Sequence, residues 1–211
     1  VALRDSVAPA ALVRAGEADV IVVDAAGFVL LDEAGAQRAG TPSLRRLSGD
    51  EAARRLEGTT ASFIGVAGGR SVIAIETSRD EAWGRWEHLR AVGWQLDGDD
   101  AALALTALAL ALWHANYRYC SRCGAPVQLV SGGWAARCDA CDRLEYPRQD
   151  PAIIVLVQDH DGRVLLAHNA LWQPGFVSII AGYVEAGESP DVTVAREVAE
   201  EVGVDIETPT Y

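Results

Sequence analysis

Apolar residues recur along this chain with two periods. In the first hundred residues they come as short, β-branched runs: ADVIVVD (18–24), GFVLLD (27–32), SFIGVAG (62–68) and SVIAIET (71–77). Runs of this length and composition predict strands. Asp24-Ala25-Ala26-Gly27 and Gly68-Gly69 predict turns that join them in pairs. Between the pairs, TPSLRRLSGDEAARRL predicts a helix, with Ser48 as N-cap and Glu51 completing a capping box. Trp83 to Leu89 predicts a second short helical stretch.

The period then lengthens. DDAALALTALALALWHANY, Asp99 to Tyr117, predicts a helix capped by Asp99 or Asp100, with Leu105, Leu108 and Leu112 keeping one face apolar. His114 at its end reads as a partner for the helix dipole or as a surface residue rather than a ligand. Ala152 to Val157 predicts a strand, RVLLAHN (163–169) the next after an Asp161-Gly162 turn, and FVSIIAGYVEAGE (176–188) a third. The last pattern is helical again. Val194, Val198 and Val202 recur every four residues, and Glu197, Glu200 and Glu201 fall together on another face.

Composition narrows the class. The chain has 211 residues, half of them apolar, which suits one large or two small globular domains. A net charge of −12 opposes any general grip on nucleic-acid phosphates and suits a protein that recruits cations to meet an anionic substrate. The start lacks the basic and then apolar layout of a secretory signal. The apolar run Ala101 to Trp113 falls short of the roughly 20 residues a bilayer span takes. The expected compartment is the cytoplasm, with no membrane partner. Methionine is absent even at position 1, so the sequence is expected to be trimmed at its start.

Two features carry chemistry. The four cysteines form two C-x2-C pairs, Cys120/Cys123 and Cys138/Cys141. That spacing matches a tetrahedral Zn²⁺ site of the ribbon type, with no open coordination position and hence a structural role. Two disulfides or a redox dithiol are the alternatives, opposed by the paired symmetry and the expected compartment. The intervening GAPVQLVSGGWAAR, with one arginine and one tryptophan, is a thin basis for nucleic-acid binding.

The second feature is the acidic helix. REVAEE alone reads as a solvated face, yet adjacent carboxylates on one face also suit hard divalent cations that share ligands with phosphates. Gly182, Glu188, Arg196, Glu197, Glu200, Glu201 and Gly203, with Val198 and Val204, fit G-x5-E-x7-R-E-U-x-E-E-x-G-U, where U is a bulky apolar residue. This resembles the Nudix hydrolase signature. The resemblance implies Glu197, Glu200 and Glu201 as ligands of Mg²⁺ or Mn²⁺ (about two or three ions), with Arg196 orienting a glutamate and Glu188 steadying the loop.

The four-cysteine ribbon, then EYPR, then an apolar strand, then Ala-Gly-Tyr-Val-Glu resembles more narrowly the NADH pyrophosphatases of that superfamily. The resemblance runs from about Trp83 to the end and is most specific from Cys120 to Val204. It implies hydrolysis of NADH or NAD⁺ to NMN(H) and AMP, removal of NAD caps from RNA, and a homodimer. It places Tyr146 and Tyr183 against a base or nicotinamide ring, the carbonyl of Ala181 on a metal, and Arg85 on substrate. As plain structure, the tyrosines would be edge-of-core residues and Arg85 a solvated charge. The alternative activities are a Nudix pyrophosphatase for another dinucleotide or nucleoside-diphosphate sugar, and a non-catalytic nucleotide sensor.

The fold implied is α+β: an N-terminal α/β domain (1–98), a connecting helix (99–117), a zinc ribbon (118–148) and a Nudix α/β/α sandwich with a mixed sheet (149–211). The family's Ser-Gln-Pro-Trp-Pro-Phe-Pro segment, a later metal-binding glutamate, and the closing strands and helix belong beyond Tyr211. The sequence is therefore expected to be part of a longer protein.

Overall fold

The computed structural model describes residues 2–32, 41–207 and 209–211. Contacts divide the chain into two compact units, Val1–Pro147 and Arg148–Tyr211.

The first unit is organised around β1 (Ala18–Asp24), whose alternate residues serve two cores. Ile21 and Val23 point to one face of the sheet, Val20 and Val22 to the other, and all four are buried. A strand covered on both sides needs a continuous apolar run instead of alternation, which explains ADVIVVD. β1 turns at Asp24–Gly27 into β2 (Phe28–Leu31), with the amide of Gly27 donating to the carbonyl of Asp24 at 2.9 Å. Beyond β1 lie β3 (Thr60–Ala67) and β4 (Arg70–Glu76), joined at Gly68-Gly69 as predicted. β4 runs parallel to β1, and all other pairings are antiparallel. With β5 (Arg85–His88) the order is β3-β4-β1-β2-β5, a mixed five-stranded sheet.

Helices cover both faces. On one side, α2 (Pro9–Arg14) and α3 (Gly49–Arg55) place Val13 and Ala52 against Val20, Val22, Ile73 and Ile75. The short α1 (Ala2–Ser6) precedes them. On the other side, α4 (Leu89–Val92) and the long α5 (Gly98–Asn116) set Val92, Leu103, Ala104, Ala107 and Ala111 against Ile21, Val23, Val72 and Ala74. In the first turn of α5, buried Asp100 accepts the amide of Leu44 at 2.7 Å and pairs with Arg46 at 2.6 Å, tying the 41–48 segment to the helix.

Four expectations are corrected here. Ser48 does cap α3, but its side chain makes no capping bond, and Glu51 pairs with Arg45 at 3.0 Å and Arg55 at 3.7 Å instead. Trp83–Leu89 is not one helical stretch, since Arg85–His88 within it is a strand. After a 3₁₀ turn at Glu81–Trp83, the chain forms β5, where Trp86 opposes Leu30 across the sheet. The cap of α5 is Asp97, accepting from the amide of Asp100 at 2.8 Å. Leu105 and Leu112, expected inside, are 62% and 54% exposed; the buried stripe is Leu103, Ala104, Ala107, Leu110 and Ala111. The helix is apolar on every side, so sequence periodicity did not distinguish its inner face.

The ribbon, β6 (Val127–Val130), β7 (Ala135–Cys138) and β8 (Leu144–Glu145), is locked to this unit by its tip. Trp134 Nε1 donates to the carbonyl of Phe63 at 2.6 Å, beside a register shift in β3. Arg4 stacks on the Trp134 ring at 3.5 Å. His114 is neither a dipole partner nor a surface residue. It is buried, and its Nε2–H donates to the carbonyl of Gly133 at 2.8 Å. Gly133 has φ +93° and lies so close to Ser62 that a Cβ would fall 2.3 Å from Oγ.

In the second unit, β9 (Ala152–Val155) and β10 (Ile180–Tyr183) pair antiparallel. Strand pairing beyond them is reduced to single bridges, Gln158 with Val164 and Ala167 with Ser178. α6 (Pro190–Val202) packs Val194 and Val198 on Ile153 and Ile180, with Val202 at the margin of this core, as the four-residue recurrence predicts. No helix among the described residues is long and apolar enough to cross a membrane.

Candidate active site and metal centre

α6 follows the loop that begins at Gly182 in β10. Ser189 is its N-cap, Pro190 fits the first helical position, and Gly203 closes it with φ +67°. Its buried valines fix the rotation of the helix and so decide where its charged residues stand.

Arg196 is the centre of the site. Its Nε and Nη2 donate to the two oxygens of Glu188 at 2.8 and 3.0 Å, a bidentate fork. Its Nη1 donates to Glu197 at 3.0 Å and Glu200 at 3.1 Å, and Nη2 also reaches the carbonyl of Tyr183 at 3.0 Å. One guanidinium therefore ties the loop, the end of β10 and two helix carboxylates together. Glu188 is further held by the amide of Glu185 at 3.1 Å and by Thr193 Oγ1 at 2.9 Å. With Arg196 as the main cause, these donors hold the Glu188 carboxyl down at about 2. Hydrogen bonds to Glu188 first, and to Glu197 and Glu200, raise Arg196 well above the ordinary guanidinium range.

Gly182 explains itself at this point. A Cβ there would lie 2.0 Å from Cδ of Glu197 and 2.2 Å from its Oε1. The first residue of the motif is thus glycine because Glu197 occupies the space a side chain would need. Sequence reasoning missed this contact and the part played by Thr193, which is fully buried within the network. The one available signal for Thr193 was a hydroxyl adjoining the valine stripe.

The other expected residues stand as follows. Glu197 is largely enclosed, with 15% of its side chain exposed, whereas Glu200 is 63% exposed. Glu201 is exposed. Ala181 pairs with Ile154 in β10, and Tyr183 presents a ring that is 70% exposed. In the first unit, Tyr146 is 64% exposed, and Arg85 on β5 pairs with Glu87 at 2.9 Å.

Among the described residues, the four cysteines are the only group of three or more potential ligand side chains whose ligand atoms lie within 4.8 Å of one another. The carboxylates of α6 do not converge to that degree, so the structure brings the glutamates onto one face without closing them into a cage. Such an open carboxylate set still suits Mg²⁺, which keeps several waters and takes remaining ligands from substrate phosphates.

The cysteines are a closed cage. Sγ of Cys120 lies 3.7 Å from that of Cys141, and Sγ of Cys123 lies 3.5 Å from Cys138 and 3.6 Å from Cys141. A tetrahedron with Zn–S bonds of about 2.3 Å has edges of about 3.8 Å, so the cage has zinc dimensions. All four thiols are free, which removes the two-disulfide alternative. The amides of Arg122 and Ala140 donate to Cys120 and Cys138, each at 3.4 Å. Backbone amides, those of Cys141 and Ala140 foremost, hold Cys138 down at about 7, and those of Arg122 and Cys123 lower Cys120. Backbone donors thus draw two of the four thiols toward thiolate, whereas at Cys123 the lowering effect of the Ala125 amide is outweighed by the sulfurs of Cys138 and Cys141, which push it up to about 12.

Comparison with known proteins agrees with this geometry. The chain matches the NADH pyrophosphatase-like rudimentary NUDIX domain over residues 14–113, the NADH pyrophosphatase zinc ribbon domain over 115–146 and the NUDIX domain over 148–211. It is 42% identical over 137 residues to the NAD-capped RNA hydrolase NudC of Stutzerimonas stutzeri, covering 65% of this chain and 49% of that protein. The enzyme of the same name from Mycobacterium tuberculosis H37Rv is 38% identical over 157 residues, covering 72% and 50%. The mitochondrial NAD(P)H pyrophosphatase NUDT13 of Mus musculus is 39% identical over 131 residues, covering 62% and 37%. The chain spans about half the length of the bacterial relatives.

Proposed function

We propose that this chain, which belongs to the NADH pyrophosphatase family of the NUDIX hydrolases, serves in hydrolysis of the pyrophosphate bond of NADH and NAD⁺ to NMN(H) and AMP, with the NAD cap of RNA as a further substrate. The observation that carries this reading is the grip of Arg196 on Glu188, Glu197 and Glu200. It holds a carboxylate face oriented and leaves exposed Glu201 outside its grip.

Glu197, Glu200, Glu201 and the carbonyl of Ala181 would hold Mg²⁺ or Mn²⁺, which when bound neutralises the diphosphate and lowers the pKa of a water. Arg196 fixes Glu197 against Gly182 so that its carboxylate need not be ordered at the moment of reaction. Glu200 and Glu201, the exposed carboxylates, are the candidates to take the proton of the attacking water. Tyr183, and Tyr146 in the first unit, offer exposed rings to a nicotinamide or adenine, and Arg85 offers a cation to the substrate. Zn²⁺ in the cysteine cage would hold the ribbon together and leave no position open for chemistry. Four free thiols point to a reducing compartment such as the cytoplasm. The family resemblance adds a homodimer, which sedimentation of the full-length protein tests.

The functional test supplies NADH, NAD⁺, ADP-ribose and diadenosine polyphosphates to the full-length protein with Mg²⁺ or Mn²⁺, and follows AMP. NADH and NAD⁺ are expected to give AMP and NMN(H), with Glu200→Gln slowing release by roughly a hundredfold or more. Preference for another dinucleotide would discard the NAD(H) assignment and keep the chemistry. Tight nucleotide binding with no turnover would replace an enzyme by a sensor. NAD-capped RNA at the same concentration as NAD⁺ tests the second substrate, and no NMN release from it would remove that part.

A further inference from the structure

Within the first unit, Thr60, Glu76, Ala115, Arg118, Val127 and Leu129 line an open-mouthed cleft of about 350 Å³. The paired ends of β3 and β4, the last turn of α5 and the first ribbon strand build it, with Thr60 directly opposite Glu76 across the sheet. None of these residues belongs to the glutamate helix or the cysteine cage.

Two charges in this cleft have no ion-pair partner among the described residues. Glu76 is half-buried, and among the described residues its carboxylate takes part in no hydrogen bond or ion pair. Burial raises its pKa, and the charge of Arg118 pulls it part of the way back, so the two groups sense each other without closing into a pair. Arg118 donates Nε to the carbonyl of Ala115 at 3.3 Å and, among the described residues, meets no carboxylate at bonding distance. Of the three other polar residues of the lining, Thr60 faces Glu76 across the sheet, His114 donates to the carbonyl of Gly133, and Tyr117 stacks on Trp113 at 5.6 Å while its buried hydroxyl has no partner among the described residues. A desolvated carboxylate left without a donor costs stability. An acceptor and a donor fork lining one small, largely polar cleft are groups that can fix the orientation of a bound molecule.

We propose that this cleft binds a small, flat, uncharged molecule whose edge carries an N–H donor beside a C=O acceptor, a primary carboxamide or a ring lactam. The N–H donates to Glu76, the carbonyl accepts from Arg118, and the ring lies on Val127 and Leu129. Charge complementarity selects the class. An anion is repelled by Glu76 and a cation by Arg118, while a zwitterion must lose hydration from two charges to enter. The volume lies at the lower end for ligand pockets, suiting a molecule of one or two rings and not a dinucleotide. The proposal does not depend on the diphosphatase reading.

The test titrates the full-length protein, with no divalent metal added, with nicotinamide, benzamide, benzoate and leucine, followed by calorimetry and saturation-transfer NMR. The two amides are expected to bind, with benzoate and leucine roughly tenfold weaker, and Glu76→Ala and Arg118→Met are each expected to weaken amide binding about tenfold. Arg118 is exposed, so its variant keeps the test valid if Glu76→Ala lowers the melting temperature. Amide binding unchanged in both variants, or absent up to about 10 mM, would overturn the proposal. Preference for leucine or benzoate would overturn the ligand class. Binding lost in Tyr183→Ala but kept in Glu76→Ala would return the amide to the catalytic unit and equally refute the cleft.

Discussion

Glu197 is held from two sides, by a hydrogen bond from Arg196 and by the absence of a side chain at Gly182. Gly182→Ala therefore acts as a displacement of Glu197, since a Cβ at 2.0 Å from Cδ cannot be accommodated. A misplacement of about 1 Å can cost roughly a hundredfold in rate, so kcat of the full-length variant is expected to fall by about one to two orders of magnitude. Circular dichroism should show the helix intact. Glu188 acts differently, since it bonds to the loop and to Arg196 and to no α6 carboxylate. Its folded pKa of about 2 lies below the unfolded carboxylate value. The stability it contributes is thus fully present above the unfolded pKa and is lost as pH falls toward 2. Urea unfolding of the wild type and Glu188→Gln at steps from pH 7 to pH 3 should show the gap between them shrinking with acid. A gap independent of pH would reject the linkage.

Between elements, the ribbon tip is the most exacting junction. Trp134, His114, Gly133 and Ser62 fit with no space for a methyl group at Gly133. Gly133→Ala adds that methyl in a left-handed conformation and is expected to cost about 2–4 kcal/mol, read as a lowered urea midpoint with zinc still bound. A loss of zinc with no loss of stability would instead place the strain within the cage. α5 shows the same dependence on context. Its own residues favour helix throughout, but Asp100 and the ribbon-facing His114 are buried because neighbouring segments supply Leu44, Arg46 and Gly133 as partners.

The division into two units gives the molecule a testable architecture. Residues 1–147 contain a sheet with both faces covered and the whole cysteine cage. Expressed alone, this segment is expected to unfold in one cooperative transition and to bind about one Zn²⁺, checked by calorimetry and metal analysis. The 148–211 segment has a small core of Ile153, Ile180, Val194 and Val198, and it leaves Ile154 71% and Leu156 54% exposed. Its own stability is expected to be far lower.

Much of this was legible in local pattern. Strand pairs at 18–32 and 60–76, the valine stripe of α6 and the two cysteine pairs each depend on residues close together in sequence, where period and spacing are direct consequences of backbone geometry. Motif spacing likewise identified the glutamate face and its arginine. It could not reveal which side of an all-apolar helix turns inward, because that is set by what packs there. Nor could it distinguish β5 from a helix, since Trp86 gains its partner Leu30 from a strand more than fifty residues away. The same holds for buried His114, for Gly182 beneath Glu197, and for Glu76 and Arg118 lining one cleft. Each depends on an approach between distant segments, and free energies of burial and contact exist only once the chain has folded.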